Sequence, residues 1–116
     1  MAQRSRAYCF TVQVQLANNQ AADYKEHLGK LLDDASYSIY QLEKAPTTGQ
    51  PHLQGYVYYK NARSFSAVKK LCNSAHLEIA KGSAEDNQKY CSKSSSRLMG
   101  PWESGVLPKP GKRNDM

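Results

Sequence analysis

Residues 36–60 read SYSIYQLEKAPTTGQPHLQGYVYYK, two alternating runs on either side of a turn. In SYSIYQLEK (36–44) and PHLQGYVYYK (51–60), β-branched and aromatic side chains alternate with polar ones, the pattern of half-buried strands. The intervening PTTGQ supplies Pro and Gly at the reversal, so the two runs form an antiparallel hairpin. Side chains on a strand point alternately to opposite faces. In the second run His52, Gln54, Tyr56 and Tyr58 therefore share one face, and Leu53, Gly55, Val57 and Tyr59 share the other. Glu43, near the end of the first run, can lie beside His52 and Gln54 once the two strands pair.

Working outward, RAYCFTVQV (6–14) predicts a strand with Tyr8, Phe10 and Val12 on one face. Asn18 and Asn19 precede AADYKEHLGKLLDDA (21–35), where Ala22, Leu28, Leu31 and Leu32 predict a first helix. SFSAVKKLCN (64–73) carries Phe65, Val68, Leu71 and Cys72 at helical spacing, and AHLEIA (75–80) reads as a short strand. Its Leu77 and Ile79 are expected to face the core, and His76 and Glu78 to form a solvated face. SAEDNQKYCSK (83–93) predicts a third helix, with Ser83 and Asp86 spaced as a capping box. A last short strand is expected around Trp102, and the Pro, Gly and Lys-rich residues 108–116 read as a linker after a domain ending near 107. This order implies an α+β fold, a central five-stranded antiparallel sheet with helices packed on it, of the split-βαβ kind.

The chain's 116 residues make one domain. A net charge of +6, a pI near 9.3 and eight tyrosines favour polyanionic partners and permit nucleic-acid binding. Three widely spaced cysteines form no Cys-x-x-Cys pair, which discourages a disulfide framework or a structural zinc site. MAQRSRAYCFTVQ has no apolar run long enough for a signal peptide or a membrane span, so a soluble, intracellular protein without membrane contact is expected. The Gly111–Lys112 pair lacks the surroundings of a phosphate-binding loop.

Carboxylate, imidazole and amide oxygen from Glu43, His52 and Gln54 suit a divalent ion such as Mg²⁺ or Mn²⁺ better than a closed zinc site. With open positions such an ion would polarise a phosphate oxygen. Tyr90 and Lys93, three residues apart, are expected on one face of the third helix. A phenol is a weak nucleophile at neutral pH, and a nearby cation or metal activates it.

Three motifs in order, CFTVQ (9–13), PHLQGY (51–56) and YCSK (90–93), resemble those of the HUH endonucleases. More narrowly, QLEKAPTTGQPHLQGYVYYK, AHLEIAKGSAEDNQKYCSK and GPWESG resemble the replication initiator (Rep) of circular single-stranded DNA viruses, the circovirus and nanovirus relatives. The resemblance covers residues 7–105. It implies a metal site of Glu43, His52 and Gln54, with Gln54 where many HUH proteins have a second histidine. It implies that Tyr90 attacks a phosphodiester at a stem-loop origin, stays joined to the 5′ end, and leaves a 3′-hydroxyl that primes rolling-circle replication. Lys93 would stabilise the phenolate or position DNA, and a single tyrosine on this helix implies the single-tyrosine subclass. Ser94 departs from related Reps that carry an acid one turn after the tyrosine, which leaves a fourth protein ligand in doubt. The resemblance also implies a following helicase domain, oligomerisation through it, and work in the host-cell nucleus.

Phe10, Thr11 and Gln13 match the first motif, which in the family holds the fold and contacts origin DNA. Candidate contacts to single-stranded DNA, by phosphate pairing and base stacking, are Arg4, Arg6, Tyr56, Tyr58, Lys60, Arg63, Lys69, Lys70 and Lys81. The rival reading is a non-catalytic RNA-recognition module, with GYVYY as its aromatic platform strand. That reading has no use for YCSK.

Overall fold

The computed structural model describes residues 3–15 and 24–109. Its elements are strand β1 (Arg4–Gln13), a 3-10 turn at Lys25–Leu28, β2 (Ala35–Lys44), β3 (Pro51–Ser64), helix α1 (Phe65–Leu71), β4 (His76–Ile79), α2 (Ala84–Tyr90) and β5 (Arg97–Gly105). The strands form one five-stranded sheet in the order β4-β1-β3-β2-β5, every neighbouring pair antiparallel. The expected hairpin is present, with Glu43 directly opposite His52 and Gln41 opposite Gln54.

Alternation makes both faces of this sheet apolar in part, and each is covered by different segments. One face carries Tyr8, Phe10, Val12, Leu42, Leu53, Val57 and Tyr59, packed with Leu28, Leu31 and the α1 residue Val68. The other carries Tyr37, Ile39 and Tyr56 beneath Ala84 and Cys91, which bracket α2. Gly55 makes the close packing of the first face possible, since a Cβ there would stand 2.3 Å from the Phe10 ring and 2.7 Å from Tyr40 Cβ. All three cysteines are free. Among the described residues no helix is long and apolar enough to cross a membrane.

The expected first helix is corrected. Within residues 24–35 the chain makes a single 3-10 turn and then further turns closed by bonds such as Leu31 N–H to Leu28 C=O and Asp33 N–H to Lys30 C=O. Tyr24 at φ 62° and Gly29 at φ 56° interrupt any α-helix at both ends of the turn. Gly29 is held where a Cβ would meet the Leu71 carbonyl at 2.5 Å, and Lys30 N–H donates to that same carbonyl. Docking onto the end of α1 thus overrides helical spacing, while Leu28 and Leu31 still reach the core. Ala22 and the expected cap at Asn18 and Asn19 lie outside the described residues.

Helix α1 starts from Ser64, whose hydroxyl accepts from Ala67 N–H, and buries Val68. Phe65, expected on its apolar stripe, is instead at the rim with its ring edge-on to Tyr8. Helix α2 has the expected capping box, Ser83 Oγ accepting from Asp86 N–H and Asp86 Oδ2 accepting from Ser83 N–H. It ends at Tyr90, three residues before the expected boundary. Strand β5 ends at Gly105, and residues 110–116 of the expected linker lie outside the described residues.

Candidate active site

Strand register builds the site as rows across the α2 face of the sheet. His76, Thr11, Gln54 and Gln41 stand side by side on β4, β1, β3 and β2, and the next row holds Gln13, His52 and Glu43. Directly opposite residues of antiparallel strands share a face, so these seven side chains do as well.

Glu43 is 3% exposed, and one of its two oxygens is doubly partnered. Its Oε2 accepts from Lys93 Nζ at 2.9 Å and from Gln41 Nε2 at 2.8 Å. Its Oε1 turns the other way and stands 3.5 Å from His52 Nε2. Gln54 Oε1 accepts from the Thr11 hydroxyl at 3.1 Å and keeps a second lone pair. Among the described residues no three His, Cys, Asp or Glu side chains group closely enough to hold a metal. The set here is mixed, one carboxylate, one imidazole and one amide. The 3.5 Å between Glu43 Oε1 and His52 Nε2 is too long for a good hydrogen bond and short enough for both atoms to ligate one small cation with bonds of about 2.1 Å. The donor set therefore fits a divalent ion that prefers oxygen and imidazole.

Gln41 is the node that sequence reading missed. Fully buried, it donates from Nε2 both to Glu43 and to the Lys93 carbonyl at 2.9 Å. It ties the carboxylate on β2 to the turn that follows α2. Lys93 lies in that turn and reaches back, its Nζ 4.0 Å from the centroid of the Tyr90 ring and bonded to the Tyr90 carbonyl at 3.3 Å. The expected juxtaposition of Tyr90 and Lys93 is present, made by the turn after the helix instead of by one helical face.

Helix α2 is fixed on two sides. Asn87, buried, donates to the Lys81 and Ser83 carbonyls and accepts from the Cys9 thiol of β1. Gln88 donates to Glu103 of β5, whose carboxylate also accepts from the Tyr37 hydroxyl at 2.6 Å. Tyr90 is left 54% exposed at the end of this braced helix. It borders a cleft of about 310 Å³ together with Thr11, Gln54, His76, Glu78 and Lys81.

The other ionisable groups under α2 are held neutral. Burial, reinforced by Glu78, pushes the Cys9 thiol up to about 11, and burial with Cys9 and Glu43 pushes Cys91 up to about 12. Burial also pushes Tyr56 up to about 12 and raises Tyr37, where the bond to Glu103 adds to the effect. Tyr37 and Tyr56 are 1% and 2% exposed and Tyr58 is partly buried beside Arg6, which leaves Tyr90 as the exposed phenol on this face among the described residues.

The remaining sequence candidates divide into groups. Thr11 and Lys81 border the Tyr90 cleft, and Gln13 is exposed at the end of the His52 row. Phe10 is 1% exposed in the core of the opposite face, so it holds the fold; Tyr56 is covered by α2. Arg4, Arg6, Lys60 and Arg63 gather at the far end of β1 and β3, roughly 20–30 Å along the strands from His52. There Arg6 lies over the Tyr58 ring and donates to the Lys60 carbonyl, Arg4 donates to the Ala62 carbonyl, and Arg63 covers Tyr59 while meeting Asp34. Lys69 and Lys70 belong to α1, and Lys69 is engaged by the Ala75 carbonyl.

Comparison with known proteins bears on this arrangement directly. The sequence pattern of the Viral Rep family of viral replication proteins matches residues 5–94, which include Glu43, His52, Gln54, Tyr90 and Lys93. The chain belongs to the viral Rep family. Among Rep relatives it is 40% identical over 109 residues to the replication-associated protein of beak and feather disease virus, covering 93% of this chain and 35% of that one. It is 38% identical over 105 residues to the master replication protein of subterranean clover stunt virus, covering 90% and 33%. To the replication-associated protein of human associated cyclovirus 1 it is 39% identical over 112 residues, covering 96% and 37%. The chain thus spans about a third of the length of these Rep proteins. The motif resemblance to Reps of circular single-stranded DNA viruses agrees with both kinds of match.

Proposed function

We propose that this chain nicks and rejoins single-stranded DNA at a viral replication origin, with Tyr90 as the nucleophile, and so initiates rolling-circle replication. The observation that carries this reading is an exposed tyrosine on a braced helix end, in one cleft with Gln54 and bridged through Lys93 to Glu43. Tyr90 Oη attacks the scissile phosphorus, the bond from phosphorus to the 3′-oxygen breaks, and the 5′ phosphate remains on the tyrosine. The phenol gives up one proton and the departing 3′-oxygen takes one up, so none is consumed overall. One phosphodiester replaces another, and a later 3′-hydroxyl reverses the step without ATP.

Lys93 stabilises negative charge as it develops on the Tyr90 oxygen, and Glu43 holds the ammonium in place. Glu43 Oε1, His52 Nε2 and Gln54 Oε1 would hold the divalent ion, which when bound supplies Lewis-acid stabilisation of the phosphate oxygens. Exposed Lys81 binds the strand's phosphates. On the same reading a helicase domain and the oligomerisation surface belong to the part of the relatives that this chain does not span, and the protein works in the host-cell nucleus. The RNA-recognition alternative needs Tyr56 and Tyr58 as an open stacking platform, whereas Tyr56 is covered by α2.

The test incubates the chain with end-labelled single-stranded stem-loop origin DNA and Mn²⁺ and seeks a heat-stable adduct in a denaturing gel. The expected result is an adduct with the wild type and none with Tyr90→Phe. An adduct of equal yield from both proteins overturns the assignment.

A further inference from the structure

Strand β4 was expected to turn a merely solvated face outward, but its register gives that face another role. His76 stands opposite Thr11 and Glu78 opposite Cys9, which extends the rows of the active site to the sheet edge. Both side chains line the cleft that Tyr90 and Gln54 share. His76 Nε2 lies 3.3 Å from Glu78 Oε2, so imidazole and carboxylate hold each other, while both remain about 70% exposed and free to meet a ligand. Nothing in the proposed chemistry uses either residue.

A carboxylate in this cleft is a physical anomaly for a chain of charge +6 that binds a polyanion. It repels phosphate, so the backbone of a bound strand must pass by Lys81, and the surface Glu78 meets is the edge of a base. A carboxylate is acceptor-only and needs a donor. Adenine, cytosine and guanine present an exocyclic amine. Thymine has none, and its single donor on that edge, N3–H, lies between two carbonyl oxygens that would face the carboxylate unfavourably. The cleft, at about 310 Å³, accommodates one base with part of its sugar, and Ile79 offers an apolar wall beside the charged pair.

We propose that Glu78, steadied by His76, forms a base-reading subsite next to the scissile phosphate that accepts an amine-bearing nucleobase and rejects thymine. The inference rests on the DNA-nicking reading. It adds a specificity element at the β4 edge, where rejection of the wrong base does as much as attraction of the right one.

The test presents the chain with a pool of single-stranded oligonucleotides randomised over the bound segment and sequences the retained fraction. The wild type is expected to deplete thymine at one position by roughly tenfold, the usual worth of a side-chain contact to a base edge. Glu78→Ala should restore thymine at that position only, leaving preferences elsewhere in place. Glu78 is 69% exposed, so the variant keeps its core. As a second measurement, replacing the preferred base by its amine-free analogue should weaken wild-type binding and leave Glu78→Ala unaffected. An unchanged thymine depletion in Glu78→Ala, or a loss of preference at every position alike, overturns the subsite. A wild-type chain that retains no single-stranded DNA and forms no adduct overturns the nicking reading and the subsite with it; retention and adduct formation with unaltered preference overturn the subsite alone.

Discussion

Gln41 sends both hydrogens of its amide to partners in the candidate site, one to the Glu43 carboxylate and one to the Lys93 carbonyl, from a fully buried position. Its own Oε1 has no partner, an unfavourable burial that the two donated bonds offset. The consequence is directional: with Oε2 claimed by Gln41 and Lys93, Glu43 is turned so that Oε1 faces His52. Gln41→Leu removes the orphan oxygen and the two bonds together, at similar volume, so its stability cost should be small, about 1–2 kcal/mol in urea unfolding. Mn²⁺ affinity measured by calorimetry should fall by roughly 10–100-fold, as when a residue that orients a ligand is lost. Unchanged Mn²⁺ affinity would show that Glu43 does not depend on this bond. The residue was invisible in the sequence for a physical reason. An alternating strand announces that Gln41 and Glu43 share a face, but not that the turn after α2 descends onto them. Tyr90, His52 and Gln54 were legible as candidates because short motifs carry them, and Glu43 because the β2–β3 pairing sets it beside His52, whereas His76 and Glu78 read as solvent-facing until register set them beside Thr11 and Cys9.

At the level of elements, α2 is only seven residues long, too short to be helical on its own merits. Its start is secured by the reciprocal capping box of Ser83 and Asp86, and its body by Asn87 and Gln88. Ser83→Ala removes the acceptor for Asp86 N–H and should destabilise the domain by about 1 kcal/mol in urea unfolding. Loosening this start should also lower the rate of adduct formation more than it lowers DNA binding, because Tyr90 is the helix's last residue; equal losses in both would contradict that coupling. The capping box was readable in sequence because it is local chemistry, as was the β2–β3 hairpin, whose alternation survives in the register. The segment 24–35 was misread because helical spacing of Leu28 and Leu31 is also satisfied by consecutive turns, and what selects the turns is a remote contact, Gly29 and Lys30 against the Leu71 carbonyl.

Across the whole molecule, a two-faced sheet in a small chain leaves the covering layers thin, and much of the interior is made of tyrosine and cysteine. Tyr8, Tyr37, Tyr56, Tyr59 and Cys91 are all buried, and burial is the leading cause of a raised proton affinity in each. The sign of the consequence follows from which state holds the proton. Unfolded, Cys91 titrates near 9.0 and Tyr56 and Tyr59 near 10.0; folded, all three are pushed up to about 12. Between those values the unfolded chain releases protons that the folded chain retains, so stability falls as pH rises. Their contribution is complete below about pH 9 and is lost progressively toward 12. Urea midpoints measured in the presence of reductant should therefore hold steady from pH 7 to about 9 and then decline steeply, with the tyrosinate absorbance of Tyr56 and Tyr59 appearing together with unfolding instead of before it. Cys91→Ala will be less stable at every pH because of the cavity it leaves, and its decline from about pH 9 should be shallower than in the wild type, since only Cys9, pushed up to about 11, still retains a thiol proton there. Ionisation of Tyr56 near pH 10 in the folded chain, isolated as the tyrosinate absorbance lost in Tyr56→Phe, would mean that water reaches the layer between α2 and the sheet. The bracing of α2 by Asn87 and Gln88 would then not keep that layer closed beneath Tyr90.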